Sequence, residues 1–274
     1  MPHAIDLIAT GSSERPVATT LVLPAGDGPC PLVVIAHGFK GFKDWGFFPD
    51  LSERCAAAGW AALRINFSHN GTGLGADSET FSRLDLFEQD RMSYRLLDLL
   101  AAVRAARDHE PRIDDRLALF GHSLGGAAVI LAMKSLAASA VVTLASVDTV
   151  RFPKEHEALL RREGRLLIPN ARTGQMMPVG IAALRDLEAH ADEYDLDAAA
   201  RLHGKPWLVI HGSADPTVPV RAAHRLSGLA SATSELLVID GADHVMDCKH
   251  PFAGPSAAYE SMWAGVADFL AKSF

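Results

Sequence analysis

Residues 121–126 read Gly-His-Ser-Leu-Gly-Gly, between an apolar run at 117–120 and a stretch of small and apolar residues at 127–133. A short apolar run that gives way through glycine to a helix-forming stretch predicts a buried strand turning sharply into a helix, and few folds can hold such a turn. Only residues without bulk on either side of Ser123 let the helix close on the strand, and the serine backbone is strained so that its hydroxyl projects outward. A hydroxyl held this way is a candidate nucleophile. The pattern G-x-S-x-G is short enough to arise by chance, so its weight comes from its surroundings.

Those surroundings follow in a definite order. Residues 206–210 read as a buried strand, and His211-Gly212-Ser213-Ala214-Asp215 places a carboxylate in the loop at its end. Residues 236–239 read as the next strand, with His244 in the loop that follows. Ser, Asp and His in that chain order would meet at the carboxyl edge of one parallel sheet, where open α/β sheets place their sites. A serine hydroxyl needs a base within about 2.6–3.2 Å, and the base needs an orienting acid.

Upstream, the buried run at 31–36 leads into His37-Gly38-Phe39-Lys40-Gly41-Phe42. A glycine-containing loop there can turn a backbone N–H toward a substrate carbonyl, and the residue after the nucleophile supplies the second donor. Phe39 and Leu124 are therefore the expected oxyanion pair. Losing one such donor typically costs about 3–4 kcal/mol of transition-state stabilisation.

Each assignment has a rival. Asp215 also suits a helix N-cap before 217–226, and Asp148 is a second candidate acid. His37 and His211 stand in His-Gly steps at strand ends, where imidazole usually bonds loop backbone. His122 neighbours Ser123 and points elsewhere, and His250 opens a His-Pro-Phe turn that reads as a loop anchor.

The rest of the chain alternates. Residues 5–9 and 17–23 read as an initial β-ribbon; 32–36, 61–67, 117–120, 140–144, 207–210 and 236–239 read as core strands. Helical periodicity covers 49–58, 84–108, 124–136, 222–229 and 257–272. That alternation predicts a doubly wound, mostly parallel sheet. Residues 147–202 break it, with an amphipathic stretch at 152–162, a hairpin at 166–177 and a helix at 181–189.

HGFKGFKDW, GHSLGG, HGSADPTVP and GADH together resemble the α/β-hydrolase superfamily, in particular bacterial esterases related to dienelactone hydrolases, cinnamoyl esterases and serine aminopeptidase-like hydrolases. The resemblance spans nearly the whole chain. It implies the α/β-hydrolase fold as one domain over 1–274, with 147–205 as a cap inserted between core strands. It aligns Ser123 with the nucleophile, Asp215 with the acid, His244 with the base, and Phe39 and Leu124 with the oxyanion donors. Dienelactone hydrolases proper carry cysteine at the nucleophile, so serine here points to plain carboxylic ester hydrolysis. A peptidase or amidase, or an acyltransferase, would use the same triad.

Composition narrows the partners. The 274 residues are 49% hydrophobic, enough for a large core, and a net charge of −7 argues against nucleic acid. The N-terminus lacks the basic and apolar regions of a signal peptide, and no apolar run reaches the length of a membrane span. Three widely spaced cysteines, Cys30, Cys55 and Cys248, fit reduced thiols in a cytoplasmic protein. No closely spaced ligand cluster suggests a metal, and the expected chemistry needs no cofactor. The expected partner is a small-molecule ester; a homodimer is left open. Met176 and Met177, with the aromatic residues Trp45, Phe47, Phe48, Phe81 and Trp263, are candidates for apolar pocket surface.

Overall fold

The computed structural model describes residues 3–202, 204–230 and 232–274; Met1 and Pro2, the start of the N-terminal stretch considered above, lie outside the described residues. Eight strands form one sheet: β1 (His3–Thr10), β2 (Pro16–Leu23), β3 (Cys30–Ala36), β4 (Ala61–Ile65), β5 (Ile113–His122), β6 (Ala140–Leu144), and two later strands at Trp207–Gly212 and Ser234–Ile239. Between β6 and that later pair lies a hairpin of β7 (Arg165–Pro169) and β8 (Met176–Gly180), so the later pair are β9 and β10. The sheet order is β1-β2-β4-β3-β5-β6-β9-β10. β2 is antiparallel to both its neighbours, and from β4 across to β10 every pairing is parallel.

Alternation along the central strands divides the core. In β3, Leu32, Val34 and Ala36 face one cluster while Val33 and Ile35 face the other; in β5, Leu117 and Leu119 oppose Ala118 and Phe120. Helices α3 (Met92–His109), α4 (Leu124–Ala132) and α8 (Arg221–Leu229) cover the first face, and α1 (Phe48–Ala57) with α9 (Ala257–Ser273) covers the second. Strands covered on both faces read as unbroken apolar runs, which is why these were visible in the sequence. Cys30, Cys55 and Cys248 are buried, unpaired thiols. No described helix is long and apolar enough to cross a membrane.

The helix expected over 84–108 is broken. α2 (Leu84–Phe87) is followed by an extended Arg91, and α3 starts at Met92. The physical reason is that Phe87 belongs to a third apolar cluster, with Phe42, Phe81, Leu166 and Met177, whereas Met92 and Leu99 pack on the sheet. One straight helix could not bury both.

Between β6 and β9 stand α5 (Lys154–Glu163), the β7–β8 hairpin, α6 (Ile181–Ala189) and α7 (Leu196–Leu202). The hairpin and α6 match the expected segments; α7 was not anticipated, and its Leu196 and Ala200 join the first core cluster. Polar ties fix this segment. Asp186 accepts from Ser93 N at 3.0 Å and Ser93 Oγ at 2.5 Å, Gly180 N donates to Glu88 O at 2.9 Å, and Arg225 reaches Asp148 O and Asp197.

At the carboxyl edge, the β3–β5 register pairs Ala36 with Gly121, and the first turn of α4 lies against the end of β3. A Cβ on Gly125 would sit 2.5 Å from both Ala36 O and His37 O. Gly125→Ala is therefore expected to lose about 1–3 kcal/mol of stability through forced overpacking. Denaturant unfolding would read this, and an unchanged midpoint would mean that the helix and strand can separate freely.

Two buried histidines flank the same edge. His37 Nδ1 donates to Gly38 O at 2.8 Å while Nε2 accepts from Phe67 N at 3.4 Å, and His122 Nε2 donates to His244 O at 3.0 Å. Burial above all pushes each down to about 3, helped by Arg95 near His37 and by His244 near His122. Because the unfolded chain binds protons at these sites from about pH 6.5 downward and the fold does not, stability is full above that value. It falls below it by up to about 1.4 kcal/mol per pH unit for each histidine. His122→Asn should flatten the slope of unfolding free energy between about pH 6.5 and 5; equal slopes would show that His122 accepts a proton within the fold.

Candidate active site

Ser123 occupies φ 55°, ψ −121°, a backbone conformation that costs a non-glycine residue about 1–3 kcal/mol. It is held there by Ser123 N donating to Leu144 O at 2.9 Å and by Gly126 N donating to Ser123 O at 2.9 Å. Gly121 makes the turn feasible, since a Cβ there would lie 2.4 Å from Gly125 O and 2.6 Å from Val129 Cγ2. Ser123 itself is half-buried at the N-terminus of α4.

His244 follows β10 and Asp215 follows β9. His244 Nδ1 and Asp215 Oδ2 are 2.7 Å apart, which assigns the Nδ1 proton to the carboxylate side and leaves Nε2 as an acceptor. The Asp215 side chain is fully buried and richly bonded: Thr217 N and Val218 N donate to Oδ1 at 2.7 and 2.9 Å, and His211 Nε2 stands 3.1 Å from Oδ2. Burial alone would raise this carboxyl, but the hydrogen bonds from His211, His244 and the Val218 amide outweigh it and hold the group well below the usual carboxylate range.

His244 adjoins the strand end that carries Ser123. Its ring centroid lies 4.8 Å from that of His122, the residue preceding the serine. No hydrogen bond joins Ser123 Oγ to His244 Nε2 among the described residues; such contacts are commonly long without substrate and tighten when it binds.

The amides of Phe39 and Leu124 donate to no acceptor among the described residues. For Leu124 this follows from its place in the first turn of α4, where N–H groups lack intrahelical partners. Both residues border the same cavity as Ser123, and Gly38 allows the approach, since a Cβ there would be 2.8 Å from Ser123 Cβ.

That cavity has a volume of about 340 Å³ and is walled mainly by apolar side chains, among them Phe39, Phe87, Phe152, Val179 and Leu187. Met176 and Met177 do not line it. Met176 is exposed on β8, and Met177 is fully buried in the third apolar cluster, on the same face of β8 as Val179, which does reach the wall. The aromatic candidates Trp45, Phe47, Phe48, Phe81 and Trp263 are absent from the wall too, since each packs within a core cluster. The residues that sequence reasoning missed are Asp90, Arg91, Arg95 and Arg151, which no motif singles out and which the helix break and the fold bring to the wall.

The competing residues have other partners. Asp148 is held by Arg225. His250 Nδ1 accepts from Gly46 N at 3.1 Å and its Nε2 pairs with Glu79, as a loop anchor would. His211 Nε2 also reaches Val218 O at 2.8 Å, so it bonds loop backbone as expected while adding a second imidazole to Asp215. Among the described residues no three His, Cys, Asp or Glu side chains are grouped to hold a metal ion.

Solved structures with the same fold share little sequence with this chain. Est1E from Butyrivibrio proteoclasticus with ferulic acid bound superposes with a TM-score of 0.72 at 21% identity, covering 97% of this chain and 99% of that one. A dienelactone hydrolase from Anabaena variabilis gives 0.62 at 16% identity, covering 99% and 98%. An acylaminoacyl peptidase from Pyrococcus horikoshii gives 0.67 at 13% identity, covering 100% of this chain and 42% of that one. No curated protein sequence matches. The family profile described as "Alpha/beta hydrolase family" matches residues 33–259, and the chain belongs to that family.

Proposed function

We propose that this chain is a serine hydrolase that cleaves carboxylic esters through an acyl-enzyme, with Ser123 as nucleophile, His244 as general base and acid, and Asp215 as its orienting partner. The observation that carries the reading is the strained Ser123 turn at the same sheet edge as a His244–Asp215 pair 2.7 Å apart, its carboxylate buried. Strain of that kind and a buried, multiply bonded carboxylate both cost stability, and a hydrolytic site accounts for both.

The chemistry follows from the geometry. His244 Nε2 takes the Ser123 proton as Oγ attacks the ester carbonyl, and Asp215 stabilises the imidazolium that forms. The oxyanion is met by the N–H groups of Phe39 and Leu124, which have no competing acceptor among the described residues. Collapse expels the alcohol with the proton from His244, leaving an acyl group on Ser123. Water then repeats the sequence, with His244 again as base, and releases the acid.

Residues 147–205 act in this reading as a cap on a single domain, supplying the cavity wall from Thr149 to Leu187. The ferulic acid bound to Est1E and the dienelactone hydrolase among the structural neighbours are compatible with a carboxylic ester substrate.

Release of p-nitrophenol from acetyl, butyryl and octanoyl esters tests the reading. Ser123→Ala should lower kcat by about 10⁶-fold, since the nucleophile and its base act as a unit. Turnover that survives the substitution would overturn the assignment, and turnover of p-nitroanilides in preference to esters would make the protein an amidase. Asp215→Asn should lower kcat by about 10⁴-fold with little change in KM, because the imidazole loses its tautomeric partner. A comparable kcat in Asp215→Asn would remove Asp215 from the mechanism.

A further inference from the structure

Arg95 lies near the start of α3, and its side chain is 1% exposed. A buried guanidinium has five N–H donors to place, and each one left without an acceptor is costly. Asp90 takes Nε, at 3.0 and 3.2 Å to its two oxygens, and also Nη2. The Phe67 ring lies beside the guanidinium, 4.6 Å from its centroid. Nη1 remains without any acceptor among the described residues, although solvent does not reach it.

Arg95 and Asp90 stand in the wall of the cavity that contains Ser123. Arg91 and Arg151 stand there as well, and neither is ion-paired among the described residues; the Arg91 guanidinium sits 3.8 Å from the Tyr94 ring centroid. The wall thus draws on three arginines against one aspartate, in a chain whose net charge is −7. Asp90 occupies the Nε edge, neutralising part of the charge and fixing the side chain, while Nη1 keeps an unmet donor that a carboxylate entering the cavity would satisfy once the side chains covering it give way. The remaining wall is apolar and suits methylene groups.

We propose that the cavity accepts half-esters of dicarboxylic acids, the free carboxylate on Arg95 Nη1, the methylenes along the apolar wall, and the ester carbonyl at Ser123. Arg91 and Arg151 add positive field at the wall. The proposal rests on the ester-hydrolase reading above and deepens it by naming the acyl class.

Calorimetric binding to the Ser123→Ala protein separates recognition from turnover. Monomethyl adipate should bind about 10- to 100-fold tighter than the neutral dimethyl adipate, the range expected of a charge-assisted hydrogen bond to a desolvated arginine. Arg95→Met in that background should abolish the preference. Since this change strands Asp90 and can unfold the protein, the double change Asp90→Asn with Arg95→Met is measured beside it and should abolish the preference too. Equal affinity for the two esters, or a preference that survives loss of Arg95, would overturn the proposal. Hydrolysis of p-nitrophenyl butyrate by the unaltered protein keeps the two readings apart. Turnover there without a carboxylate preference sinks this inference alone; a preference without turnover of any ester upholds the carboxylate site and sinks the esterase reading.

Discussion

The site depends on the close approach of α4 to the ends of β3 and β5. Gly121 and Gly125 bring backbone against backbone, and that contact forces Ser123 into a conformation its side chain disfavours. Strain of about 1–3 kcal/mol persists only where surrounding structure over-determines it. Here the surroundings are the parallel ladder itself: Leu144 O at the end of β6 fixes Ser123 N, and the β3–β5 register fixes where Ala36 meets Gly121. The same approach brings the 37–42 loop beside the serine, so the amide of Phe39 borders its cavity without any special contact of its own. One packing constraint therefore sets Ser123 and the amides of Phe39 and Leu124 together.

The electrostatics around that point are economical. Asp215 is a buried ion, tolerable only because two backbone amides and two imidazoles serve its oxygens. His37 and His122, on either side of the elbow, are kept neutral by burial. A proton on His122 would set an imidazolium directly beside the His244 ring. Arg91, Arg95 and Arg151 border the cavity that contains Ser123.

What was legible in the sequence was whatever depended on local pattern. The core strands are covered on both faces and so appear as unbroken apolar runs, and the loops that follow them hold Ser123, Asp215 and His244 by chain order alone. What was not legible depended on which cluster a side chain joins. Periodicity continues from Leu84 to Asp108, yet Phe87 and Met92 belong to different clusters and the helix breaks between them. Met177 was a candidate for pocket surface, but it is enclosed in the third cluster, and Val179, two residues on, reaches the wall in its place. Arg95 carries no motif that singles it out, and Asp90 meets it across the break at 88–91. Asp98 was similarly silent, although it accepts from Ser12 and Ser68 at both backbone and hydroxyl and so ties the β1–β2 turn and the loop after β4 to α3.

The way the segment between β6 and β9 is fastened bears on how such a site would select substrates. Its apolar face is shared with the 39–48 and 81–87 stretches through Phe42, Phe81 and Phe87, and Lys40 Nζ donates to Pro169 O at 3.0 Å, bridging the loop that carries the Phe39 amide to the hairpin. Ser93, one residue into α3, is gripped by Asp186 of α6, and Arg225 of α8 holds Asp148 and Asp197 at the two ends of the segment. A wall fixed by both buried apolar contact and dispersed polar ties is part of the folded core, because opening it would expose the third cluster and unpair those groups at once. The shape presented by a wall of that kind exists before anything binds, so little ordering cost is left to be met on binding.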